Sequence, residues 1–462
     1  MGRVYEIEHL HQPQGWLSPG FIEIGADGTI LSVSATRPEQ GVGERLAGFG
    51  VPGLSNLHSH AFQRALAGRT EFVTGALDED NLWTWRKAMY RLVDRLTPEA
   101  MEAVASLVYL EMLQFGMTAV CEFHYVHHQS GGQPHDNPAE MSERIIAAAA
   151  RTGLGLTLLP VLYAHGGIGK PVEETQRRFV HSVDDYLKLV EALRSRHAGY
   201  LQVGMALHSL RAVAPDEVKA ALAGMEGVDP QARLHIHVSE TTHEVEEVRA
   251  GLGARPVQWL LDNVGLDRRW CLIHATHMDE AEIAGAAASG AVAGICPLTE
   301  ATMGDGFFAL PEYHRAGGAW GIGTDSHYST STAEELRVLE LGKRLQLNRR
   351  NVVAFPQEDG RPVHSGRMLF DTALAGGEQA SGQGGGALVA GRRADLVMLD
   401  PDSHVLLGHG PQTVLDAWIL GGTQNPVRDV MVAGHWVIRD RHHPQADAIR
   451  AEWKRLAADL FN

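Results

Sequence analysis

The chain has 462 residues, 44% of them hydrophobic, and a formal net charge of −16. That balance excludes a nucleic-acid footprint, which needs a patch or stripe of Lys and Arg to meet phosphates. No apolar run is long enough to span a membrane, and the first twenty residues carry Glu6 and Glu8 without the continuous apolar core of a signal peptide. Cys121, Cys271 and Cys296 lie singly within apolar patterns and form no Cys-x-x-Cys pair. They read as small buried hydrophobes in a reducing compartment, so a cytoplasmic protein is expected.

In chain order, Phe21-Ile22-Glu23-Ile24 and Thr29-Ile30-Leu31-Ser32-Val33 flank Ala26-Asp27-Gly28, a hairpin signal. An apolar run at residues 54–60 follows, ending in His58-Ser59-His60. Seven more apolar runs end in polar residues: 119–128, 156–165, 201–211, 233–240, 270–277, 291–300 and 320–327. Helical patterns lie between them. Thr97-Pro98-Glu99, for example, precedes Met101, Val104, Val108 and Met112, and Gly116 follows, which gives an N-cap, a proline in the first turn and a C-terminal stop. Eight such units describe a distorted (β/α)₈ barrel of the TIM type, with its active site at the C-terminal ends of the strands. An open doubly wound sheet also alternates, but no Gly-rich dinucleotide fingerprint follows the first strand. The length exceeds the ~250 residues typical of one barrel. The Gly-rich residues 376–386 read as a loop or linker, and strands at 394–400 and 430–438, the latter turning at Ala433-Gly434-His435, complete a second module. The expected division is residues 1–50 and 376–462 as a small β-sandwich formed by both chain ends, with a C-terminal helix, and 51–375 as the barrel.

Side chains at i and i+2 of a strand leave the same face, so His58 and His60 can converge on one metal ion. About one His-x-His would arise by chance from 25 histidines in this length, and three occur. His9-Leu10-His11, in a polar terminal stretch, is read as surface residues without partners. His235-Ile236-His237 ends the fifth strand, with His237 the candidate third ligand and His235 one layer deeper in the barrel. Asp325, in Gly323-Thr324-Asp325-Ser326, closes the eighth strand and can add a carboxylate. Three or more protein ligands with one position open for water is the usual catalytic zinc arrangement.

His-x-His after strand one, His after strands five and six and Asp after strand eight together resemble the amidohydrolase superfamily, over nearly the whole chain. The resemblance implies that His58, His60, His237 and Asp325 bind one divalent metal per subunit, usually Zn²⁺. It further implies that Asp325 accepts the proton of the attacking water and that His274 stabilises charge in the tetrahedral intermediate. Many members bridge two metals with a lysine after strand four. Residues 201–214 contain none, so one metal is expected. His237-Val238-Ser239-Glu240 resembles the His-x-x-Glu of the superfamily's deaminases, in which the glutamate relays a proton to the departing nitrogen.

Arg211, just beyond strand four, Arg86 in the aromatic segment 82–86, and Gln63 after the histidine pair suit an anionic small molecule, because guanidinium forks bind carboxylates. The segments HSHAFQRALAGRTE, LHSLRAVAP, HIHVSETTHEVEEV, PLTEATMGDGFFAL and GIGTDSH are similar to the formimidoylglutamate deiminases of bacterial histidine degradation. That resemblance implies N-formimidoyl-L-glutamate as substrate, one carboxylate held by Arg211 with His208 and Tyr125 and the other by Arg86, with Gln63 near the formimino group, and a homodimer. Two rivals stand beside it: a deaminase of a nucleobase or related ring, and a non-catalytic scaffold, a class that typically loses metal ligands. Residues 77–90 are the candidate lid over the pocket.

Overall fold

The computed structural model describes residues 2–39, 41–73, 82–197, 201–355, 360 and 362–461, the side chain of Trp83 excepted. Every apolar run forms a strand. Leu54–Ser59, Met117–His124, Gly155–Leu162, the split pair Leu201–Val203 and Met205–Leu207, Leu234–Val238, Trp270–His274, Val292–Ile295 and Ala319–Ile322 pair in parallel in this order. They are buried almost throughout, as parallel strands covered on both faces must be, which is why their sequences run apolar rather than alternating. Helices cross between them. In Pro98–Gln114 the Thr97 side chain accepts a hydrogen bond from the Ala100 amide, and Gly116 turns the chain into strand two with φ +88°. No helix among the described residues is long and apolar enough to cross a membrane.

Between strands one and eight the ladder shrinks to a single bridge, Ser59 to Asp325. Around it the His60 amide donates to Asp325 O (3.1 Å), and the amides of Thr324 and Asp325 donate to His58 O (3.1 and 3.0 Å). The barrel is closed at its C-terminal mouth, where the candidate ligands sit.

Residues 376–381 are not a linker. They are the last turns of the helix Ser365–Ser381, which lies across the opposite, N-terminal end of the barrel. Gly376 and Gly377 serve close approach there: a Cβ on Gly376 would lie 1.9 Å from Trp320 O, and one on Gly377 2.7 Å from Ser55 O. Composition cannot distinguish glycines that free a chain from glycines that let a helix touch backbone. The helix end also receives hydrogen bonds from inside the barrel, from Thr157 Oγ1 to Ser381 O (2.7 Å) and from His235 Nε2 to Ala380 O (3.1 Å). His235 therefore occupies the deeper layer, as expected.

Both chain ends build one eight-stranded sheet around its own core of Tyr5, Ile7, Leu10, Ile22, Ile24, Ile30, Leu396, Met398 and Met431. Gly20–Ile24 and Ile30–Ser34 form the N-terminal hairpin. Val427–Val432 and His435–Ile438 form another, turning at Ala433 and Gly434, both at positive φ. The sheet curls until the two turns meet, with Gly28 against the Ala433 carbonyl. Strand Glu44–Pro52 leads from this sheet into the barrel, and the C-terminal helix Ala446–Phe461 is tied to the barrel helices by an ion pair between Arg151 and Glu452 (2.5 Å). One expectation fails here: His9 and His11 are not bare surface residues. They lie on strand Arg3–Gln12, His9 stacked on Phe49 and His11 buried 3.0 Å from Asp371. A strand that pairs on both edges buries one face whatever its local polarity.

Candidate active site

The polar residues that end the apolar runs lie in the last residues of the strands, as His58, His237 and His274 do, or just past them, as His60, Glu240 and Asp325 do, so the barrel brings them to one mouth. Non-glycine residues at positive φ gather there: Ser239 (+53°), His274 (+68°), Ala275 (+50°), Asp325 (+45°) and His327 (+58°). Such conformations cost about 1–3 kcal/mol each and persist where the surrounding structure enforces them, as at functional sites.

His58 Nε2 lies 3.1 Å from His237 Nε2 and 3.4 Å from Asp325 Oδ1, and His60 Nε2 lies 3.4 Å from the same oxygen. His60 Nδ1–H donates to Phe123 O (2.8 Å) and His237 Nδ1–H to His208 O (3.0 Å), leaving their Nε2 lone pairs turned inward. Burial lowers the pKa of all three imidazoles, and for His58 and His237 the neighbouring histidines lower it further. A proton on His58 Nε2 can bridge one of these gaps at most. Lone pairs and a carboxylate oxygen otherwise crowd one small space, and a divalent cation fits that donor set. Ligand atoms of His58, His60 and Asp325 lie within 4.8 Å of one another, as do those of His58, His237 and His274, and of His274, Cys296 and Asp325. Burial pushes the Cys296 thiol up, which keeps it protonated and a poor ligand.

His274 sits between carboxylates. Its Nε2 is 3.7 Å from Glu240 Oε1 and 3.9 Å from Asp325 Oδ2, and its Nδ1 is 3.3 Å from Glu300 Oε1. Burial alone lowers its pKa, but Glu240, the bond to Glu300 and Asp325 outweigh this and raise it to about 10. Burial also raises the pKa of Glu240, against the pull of His274. A carboxyl held above its usual range beside an imidazolium is suited to passing protons. Glu300 is the residue that motif reading passed over, although it closes the seventh apolar run. It is buried in helix Pro297–Met303, accepts from the Cys296 amide (2.8 Å) and fixes the His274 ring from behind.

A cavity of about 80 Å³ opens on this centre, lined by His60, His237, Glu240, His274 and Asp325 and also by Gln63, Arg86, Tyr125, His208 and Arg211. All five residues expected at the substrate therefore share the pocket. Gln63 donates to the Tyr125 hydroxyl (2.7 Å) and accepts from Ser326 (2.5 Å). Arg211 pairs with Glu247, whose other oxygen lies 3.3 Å from Lys170 Nζ. Arg86 projects from helix Leu82–Arg95 toward the ring of Tyr90 (5.9 Å). Of the candidate lid, residues 77–81 lie outside the described residues. Arg86 and Arg211 also line a vestibule of about 1390 Å³, so both arginines stand at the entrance to the chemistry.

The family model for the amidohydrolase family matches residues 49–437. A formimidoylglutamate deiminase from Pseudomonas aeruginosa is 48% identical over 97% of this chain and 98% of its own. Among solved structures, an amidohydrolase from Brucella melitensis is 40% identical, with a TM-score of 0.92 and full coverage of both chains. An adenosine deaminase from Xanthomonas campestris with bound zinc shares the fold at 20% identity, with a TM-score of 0.81, covering 99% of this chain and 98% of that one. Matched by the family model over most of its length and by a curated relative over nearly all of it, the chain belongs to the amidohydrolase family.

Proposed function

We propose that this chain hydrolyses the formimino C–N bond of N-formimidoyl-L-glutamate, giving N-formyl-L-glutamate and ammonia, as a step of histidine breakdown. The observation that carries the reading is the likeness to the Pseudomonas aeruginosa deiminase along nearly the whole of both chains. The pocket agrees with it, since Arg86 and Arg211 line it together with the His/Asp centre, and guanidinium forks bind carboxylates.

In this reading His58, His60, His237 and Asp325 hold one divalent ion, zinc by preference. A bound ion lowers the pKa of water toward ~7 and so supplies hydroxide near neutral pH. Asp325 takes the proton of the attacking water, and oxygen bonds to the formimino carbon as its C=N bond becomes single. His274, held by Glu300, presents Nε2 to the charge that develops there. Glu240 and Asp325 pass protons to the nitrogen, which leaves as ammonia while the C=O bond forms. Arg211 with His208 and Tyr125 binds one carboxylate, Arg86 binds the other, and Gln63 faces the formimino end. The reading carries with it a cytoplasmic homodimer, in keeping with the buried free cysteines; sedimentation tests the dimer.

The test is ammonia release by protein of known metal content, with formimidoylglutamate compared against guanine, adenosine and related rings. Release from formimidoylglutamate alone is expected. Release only from a ring compound would overturn the substrate, and release from neither, at full metal loading, would overturn the enzyme.

A further inference from the structure

The weakest backbone join in the barrel lies between the strand that carries His58 and His60 and the loop that carries Asp325. A buried chain of side chains crosses that join. Asn56 Nδ2–H donates to Thr324 Oγ1 (2.7 Å), and the Thr324 hydroxyl donates to His327 Nδ1 (2.8 Å). His327 Nε2–H then donates to Ser59 Oγ (3.0 Å), and the Ser59 hydroxyl donates to Glu122 Oε2 (2.5 Å). Glu122 also accepts from the Tyr109 hydroxyl (3.0 Å) and, through Oε1, from the Ala61 amide (2.8 Å). Asn56 Oδ1 accepts from the amides of Thr324 (3.1 Å) and His58 (3.3 Å).

These directions close without conflict for one tautomer of His327, and each member is at most 1% exposed. Such a network, fully satisfied in a low-dielectric interior, is rigid, and a break in it leaves buried groups unpaired. Its placement gives the rigidity a purpose. Ser59 stands between the two histidines and points away from them, as alternate strand residues do. His327 stands two residues after Asp325 at positive φ. The chain therefore grips both sides of the join from behind.

We propose that Ser59, His327 and Glu122 are positioning residues that reinforce the short, single-bridge ladder at this join and hold His58 and His60 in register with Asp325 for the metal. The inference rests on the reading of those three residues as ligands. It assigns work to the middle residue of the His-x-His motif and to buried Glu122, neither of which touches the pocket.

The experiment measures the zinc dissociation constant of the full chain by chelator competition, for wild type, Ser59→Ala, His327→Gln and the double variant. Apo and zinc-loaded melting are followed in parallel. Zinc should bind about 10- to 100-fold more weakly in each single variant, the range found when residues behind metal ligands are removed. The double variant should lose no more than the worse single, because either break opens the same chain. A dissociation constant within threefold of wild type in the folded variants would overturn the proposal, even if both apo and zinc forms melted lower. So would losses that multiply in the double variant, or failure of both single variants to fold. Wild type that binds no zinc would instead overturn the ligand reading beneath it.

Discussion

Replacing Arg211 by Met removes a guanidinium from the pocket wall while keeping most of its apolar length. The side chain is 13% exposed and its partner Glu247 14%, so a substrate carboxylate bound there meets a largely dehydrated cation. Truncating one member of a buried, hydrogen-bonded charge pair costs about 2–5 kcal/mol. Taking ~3 kcal/mol, at 1.4 kcal/mol per tenfold, kcat/KM for formimidoylglutamate falls roughly 100- to 200-fold. The fold should survive, because Glu247 keeps Lys170 at 3.3 Å. The assay is steady-state ammonia release, run in parallel on formamidine, which has the reacting group and no carboxylate. The variant should treat formamidine within about threefold of wild type, because the lost interaction is absent from that substrate. An equal fall on both compounds, or no fall on either, would refute Arg211 as a carboxylate anchor.

Four further outcomes are expected. His237→Ala removes a ligand atom that lies 3.1 Å from His58 Nε2, and elemental analysis should find its zinc stoichiometry lost; unchanged zinc would reject the ligand. Glu240→Gln cannot carry a proton, and kcat should fall about 10²- to 10⁴-fold with zinc content unchanged. Glu300→Met deletes the acceptor 3.3 Å from His274 Nδ1, so kcat per bound zinc should drop about 10-fold or more at constant KM. Glu300→Gln, which keeps an acceptor, should restore most of that activity. Gly376→Ala places a methyl 1.9 Å from Trp320 O and should destabilise the protein by at least about 2 kcal/mol in denaturant unfolding. Gly410→Ala, where nothing lies within 4 Å, is the matched control and should be neutral.

The positions of the eight strands were legible because strands buried on both faces must be apolar end to end, and each run stops where the chain meets water and chemistry. The same stops exposed His58, His60, His237, His274 and Asp325 in order, and Arg211 beyond strand four and Arg86 in its aromatic segment pointed to an anionic substrate. Glu240 was legible through the resemblance of His237-Val238-Ser239-Glu240 to the His-x-x-Glu of deaminases, and it lies two residues past the end of strand Leu234–Val238. Glu300 was not legible as a partner of His274, because the two are 26 positions apart and only the adjacency of strands six and seven joins them.

What the order of residues determined by itself was therefore the repeating unit and the kinds of group at each strand end, both of which are local and periodic. Tertiary structure decided the matters that depend on which backbone closes on which. It turned the glycines at 376 and 377 from a presumed linker into the contact surface of a helix sealing the barrel, and it buried His11 against Asp371. It also linked Ser59, Glu122 and His327 across the closing join. Burial and hydrogen-bond closure arise between segments distant in sequence, so no local pattern carries them.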